Sequence, residues 1–99
     1  MLRAVFVRTL RAGVSYQQFT DAWLPENLPG GYPVAASVSF NTAADRQVIT
    51  ILEVDASLEE FGAIGPTLTR PDALDRLGEI VVSTELAGVF EQVWTAGVL

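Results

Sequence analysis

Arg8 stands in the run LRAVFVRTL, where it shares its alternation with Ala4, Phe6 and Leu10. A guanidinium on an apolar face needs either a buried partner or an oxygen supplied by a ligand. A structural ion pair with Glu53 or Glu91 would meet that need from within the chain. Tyr16, Phe19 and Trp23 recur at helical spacing and form either a plain core stripe or the wall of a flat aromatic pocket. The segment LPENLPGGY at 24–32 is rich in proline and glycine and carries Glu26, Asn27 and Tyr32, so it reads as a connector or as a lid over such a pocket. Ser37, Ser39 and Asn41 share one parity of a further alternating run, placed either to orient a phenol or carbonyl or to face water. The ligand-pocket candidates are therefore Arg8, Tyr16, Phe19, Trp23, Asn27, Tyr32 and Asn41.

Residue types that are missing limit the chemistry. With no cysteine, histidine or lysine in the 99 residues, disulfides, thiolate metal sites, cysteine nucleophiles and hydrolytic triads are set aside. The acidic pairs Glu59 and Glu60, and Asp72 and Asp75, fall on helix starts and complement the helix dipole there. GAIG after Phe61 lacks the spacing and the basic residue of a phosphate loop. No metal and no cofactor are expected, and no catalytic residue is assigned. Twelve acidic side chains against six scattered arginines give a net charge of -6, which repels phosphate backbones, so neither nucleic acid nor an anionic membrane is an expected partner. No window is apolar over the length that spans a bilayer, and the expectation is a soluble, cytoplasmic protein.

The elements that would hold these residues show as a repeat. SYQQF at 15–19 returns as SLEEF at 57–61, each with a serine and a Gln or Glu at the spacing of a capping box. Val14 and Phe19 add a hydrophobic staple, Tyr16, Phe19 and Trp23 form the apolar face, and Pro25 ends the run. In the second copy the stripe is Leu58, Phe61 and Ile64. A third helix is predicted from Pro71, with Leu74, Leu77 and Val81 on one face and Asp72 paired to Arg76 on the other. Strands are predicted at 2–10, 33–41, 47–54 and 86–94, with NTAADRQ as the hairpin between the second and third. The order β-α-β, β-α-α-β is a doubled split β-α-β unit. That makes one α+β domain over 1–99, ferredoxin-like, with a four-stranded antiparallel sheet and helices on one face.

Helices on one face leave the other bare, and the first two strands are largely apolar on both parities. Two such sheets packed face to face would bury that surface, so a homodimer closing into an α+β barrel is expected. The stretch RTLRAGVSYQQFTDAWLPENLP resembles the opening of the dimeric α+β barrel superfamily, nearest its EthD-like and antibiotic-biosynthesis-monooxygenase-like branches. A strand there leads through R-x-P-G-hydrophobic-S/T-x-x-x-F into a helix ending in Trp. The matching residues are Arg11, Gly13, Val14, Ser15, Phe19 and Trp23. Superfamily members include quinone-forming monooxygenases, polyketide cyclases, haem-degrading enzymes and proteins without a known reaction. In the EthD-like pattern a histidine commonly follows the tryptophan by about four residues; Asn27 stands there, which removes imidazole acid–base chemistry and the usual haem ligation. The resemblance implies a small-molecule enzyme of the cofactor-independent monooxygenase or cyclase type, acting on an aromatic or polyketide-like compound. A non-catalytic homodimeric ligand-binding or structural module is the alternative.

Overall fold

Both repeated phrases form capped helices in the computed structural model, which describes residues 1–97 apart from the side chain of residue 45. The Ser15 hydroxyl accepts from the Gln18 amide at 3.1 Å, and the Gln18 side chain accepts from the Ser15 amide at 2.8 Å. Ser57 and Glu60 repeat that exchange at 3.1 and 3.2 Å. Between them the four boxed groups satisfy donors that a helix start otherwise leaves orphaned. The elements run β1 (Leu2–Leu10), α1 (Tyr16–Trp23), β2 (Ala35–Asn41), β3 (Ala44–Val54), α2 (Leu58–Ile64), a 3-10 turn (Gly65–Thr67), α3 (Ala73–Ile80) and β4 (Val81–Glu91). Gly13, at φ +84°, makes the turn from β1 toward α1 in a conformation that a side chain disfavours.

Several boundaries and faces differ from the sequence reading. The buried stripe of α1 is Phe19, Ala22 and Trp23, while Tyr16, in the first turn at the stripe's margin, is 60% exposed. On α3 the buried residues are Ala73 and Leu77, with Ile80 packed beside them, and Leu74 is 86% exposed. That helix starts after Pro71, and the Asp72 carboxylate accepts from Arg70 at 2.6 Å instead of pairing with Arg76. Leu58, expected in the stripe of α2, lies largely exposed, whereas Phe61 and Ile64 are half-buried. β4 begins at Val81, directly after α3, because β1 needs a partner along its whole length. The pairing runs from Leu10 opposite Val81 to Leu2 opposite Glu91, with irregularities after Val7 and Thr9. The hairpin between β2 and β3 is shorter than expected: Asn41 pairs with Ala44, and the Asn41 side chain accepts from the Ala43 amide at 2.8 Å, an Asx turn.

The sheet is antiparallel throughout, in the order β2-β3-β1-β4, so each half of the chain contributes one split β-α-β unit. Even-numbered residues of β1 and β3 face the helices. The core on that side is in two pieces. One gathers Leu10, Val48, Phe19, Ala22, Trp23, Ala73 and Leu77 at one end of the strands; the other gathers Ala4, Leu52 and Leu68 toward the opposite end. Odd-numbered residues, among them Val5, Val7, Ile49 and Ile51, face away from the helices. Leu86 and Phe90 of β4 pair with Val7 and Arg3 on that outer face and are 41% and 48% exposed. Arg3 and Glu53, opposite one another, form a 3.4 Å ion pair at one end of the outer face. At the other end Glu85 accepts hydrogen bonds from Thr9, Gln47 and Ser83. No helix among the described residues is long and apolar enough to cross a membrane.

Candidate functional site

Between the two pieces of core the sheet presents Phe6 opposite Thr50 and Arg8 opposite Val48. A long polar residue and a small one replace the apolar pair that would have joined the pieces. Above them lies a cavity of about 250 Å³. Its floor is Phe6, Arg8, Thr50 and Leu52; Trp23 and Leu77 form one wall; Phe61 and Gly65, with Leu68 and Thr69, close it from the side of α2. Thr69 is exposed, so the cavity reaches solvent there.

Three residues of this lining carry polar groups without partners among the described residues. The Arg8 guanidinium lies 4.7 Å from the centre of the Phe6 ring and makes no hydrogen bond or ion pair with a described residue. Partial burial pulls its pKa below the ordinary value. Thr50 sits across from Phe6 in the register. The Thr50 hydroxyl is buried without a partner, and so is the Trp23 indole N–H. Neither Glu53 nor Glu91 pairs with Arg8. Glu53 is on the outer face with Arg3, and Glu91 sits opposite Leu2, roughly 20 Å along the strand from Arg8 at ~3.3 Å per residue.

Of the other residues singled out from the sequence, Phe19 is fully buried core beside the cavity rather than lining it. Tyr16 and Asn27 are exposed and take no part. No residue of 24–32 lines the cavity, and the segment buttresses it from behind. There the Tyr32 ring meets Trp23 edge-on at 6.1 Å while its hydroxyl donates to the Leu68 carbonyl at 2.5 Å. Desolvation raises the Tyr32 pKa to about 12. Arg70 pins the same wall, donating its amide to the Trp23 carbonyl and pairing with Glu26 at 3.1 Å and Asp72 at 2.6 Å. Asn41 is at the far end of β2, where its amide donates to Gln47, outside the lining of this cavity.

Thr50, Phe6, Phe61 and Leu68 escaped the sequence reading. For Thr50 a signal existed: it is the single hydroxyl on the parity Val48, Leu52, Val54, as Arg8 is the single charge on its own. Phe61 and Leu68 carried no such signal, since an apolar residue facing a void has the same pattern as one facing a neighbour. A second, shallower groove of about 330 Å³ lies between α3 and β4 at Gly78, Val82, Ser83 and Thr84, and shares Arg8 and Leu77 with the first. Arg8 therefore stands between two spaces. No carboxylate lines the cavity, and among the described residues no cluster of acids could hold a metal ion. Chemically, the lining can hold a flat apolar body and stabilise negative charge at one edge of it. No family model, curated protein or solved structure matches the chain significantly.

Proposed function

We propose that the chain is a homodimeric, cytoplasmic small-molecule enzyme of the cofactor-independent monooxygenase or cyclase type, related to the dimeric α+β barrels, with its substrate in the cavity between helices and sheet. One observation carries this reading: the core is interrupted by an aromatic-walled cavity with a guanidinium, that of Arg8, on its lining. Since a dry cavity of about 150 Å³ holds benzene, a space of about 250 Å³ suits a one- or two-ring compound. An aromatic or polyketide-like substrate of that size would react through its own electron-rich ring, with oxygen addition or ring closure following loss of a proton. Binding without turnover is the second reading, favoured by a lining without carboxylate or imidazole.

The dimer is supported by what the single chain leaves uncovered. Its surface is 6644 Å², against roughly 5,500 Å² for a compact monomer of 10.7 kDa. Its radius of gyration is 14.1 Å, against ~12.6 Å for a domain of this length. The outer sheet face, with Val5, Val7, Ile49, Ile51, Leu86 and Phe90, is the surface that a second copy would cover. Titrating the tryptophan fluorescence with naphthols and hydroxyquinones, while following oxygen uptake, tests the reading. Saturable quenching with oxygen consumption is expected of a monooxygenase, quenching with conversion of the compound but no oxygen uptake of a cyclase, quenching alone of the binding protein, and a flat response across the series refutes all three.

A further inference from the structure

We infer that the cavity is an oxyanion site, whose ligand is an aromatic compound already ionised at a conjugated oxygen when it binds, its charge met by the Arg8 guanidinium. This rests on the reading of the cavity as a small-molecule site and goes further by fixing the charge state of the occupant. A guanidinium remains protonated throughout the working pH range, so Arg8, half-buried at the cavity, keeps its charge there. No carboxylate of a described residue pairs with it, and those within reach of its strand are engaged. Glu53 is paired to Arg3, and Glu85 is held by Thr9, Gln47 and Ser83 on the outer face.

The rest of the lining sharpens the inference. Phe6, Trp23, Leu52, Phe61, Leu68 and Leu77 make the walls apolar, and Arg8 is the single charge on them. One cation beside a flat apolar space matches the needs of one oxyanion on a ring. Because no lining side chain can take a proton, ionisation precedes binding. Affinity should therefore follow the ligand's own pKa: weak below it, where the ligand is neutral, and strong above it, where the ligand is the anion.

Aromatic carboxylates and acidic phenols share this chemistry, and isothermal titration of the whole protein separates them. The probes are benzoate, benzamide as its uncharged counterpart, and a nitrophenol measured on both sides of its own pKa. Benzoate is expected to bind at least ~tenfold more tightly than benzamide, the ratio of a charge-assisted hydrogen bond to a neutral one. Arg8→Gln should erase that preference chiefly by lowering benzoate affinity, whereas Arg8→Lys, which keeps the charge, should retain most of it. Nitrophenolate binding that rises with pH through the phenol's pKa would identify a phenolate-type ligand; preference for benzoate alone would identify a carboxylate. Equal binding of benzoate and benzamide overturns the oxyanion inference and leaves the cavity as a site for neutral rings. Failure of all three probes to bind overturns it together with the small-molecule reading.

Discussion

Thr50 and Trp23 are the side chains at which stability and binding oppose each other. The Thr50 hydroxyl is buried without a partner, so Thr50→Val should raise the stability of the ligand-free protein by up to ~1 kcal/mol, measured as a higher denaturant midpoint at unchanged slope. A loss of stability would mean that the hydroxyl has a partner in solution. Trp23 belongs to the core cluster and also borders the cavity, so part of its ring faces space that is already empty. Trp23→Ala is therefore expected at the low end of the ~3–5 kcal/mol typical of such truncations. Tyr32 supplies a pH readout. Its pKa is raised in the folded state from 10.0 to about 12 because burial disfavours the phenolate. Between those values the folded chain holds a proton that the unfolded chain has lost. This contribution to stability is thus complete below pH 10 and disappears as pH rises toward 12. No lysine titrates in that window, and Tyr32→Phe should flatten the decline, as chemical denaturation at stepped alkaline pH would reveal.

At the scale of elements, the two capping boxes have the same chemistry but support different things. α1 carries Phe19, Ala22 and Trp23 into the core, whereas α2 buries no residue fully and contributes Phe61 to the cavity. Ser15→Ala and Ser57→Ala should each cost about 1 kcal/mol if both helices unfold only with the whole domain. Because α2 is weakly anchored, Ser57→Ala should instead act by local opening. Faster amide hydrogen exchange confined to 58–64, with a midpoint nearly unchanged, is the expected result, and Ser15→Ala should lower the midpoint without such a local signature. Equal global loss from both would show that α2 is as firmly coupled to the core as α1. The repeat made these helices and their caps legible from the sequence. The buried face of α3 was not, because Ala73, Leu74, Leu77 and Ile80 allow two adjacent stripes, and the choice belongs to the sheet on which the helix rests.

The whole molecule is defined by the sheet face that the helices leave bare. Val7 is on it and Val38 is not: Val38 packs against the core cluster on the helix side. Val7→Asp is accordingly expected to give a folded monomer and Val38→Asp an unfolded chain, distinguished by sedimentation together with circular dichroism. A wild-type protein that sediments as a monomer at micromolar concentration would remove the homodimer from the proposed function while leaving the cavity in place. An interface of the obligate kind should bury well over ~1,000 Å².

Capping boxes, alternating strands and the order of elements are local patterns, each set by neighbours a few residues apart, and the sequence alone determined them together with the split β-α-β plan. It also isolated Arg8 as a charge without an obvious role. Which residues surround that charge was decided only by tertiary structure. The β1–β3 register sets Thr50 opposite Phe6 and Val48 opposite Arg8, and Trp23 reaches the same space from α1, across separations that no local pattern encodes. The segment 24–32, which reads as a connector or as a lid, lies as a buttress for the same reason. Its proline- and glycine-rich composition fixes that it turns, while the Tyr32 hydrogen bond to Leu68 and the Glu26 pair with Arg70 fix where it rests. A void between two apolar clusters has no sequence signature at all, because it arises from how far apart packed elements come to lie.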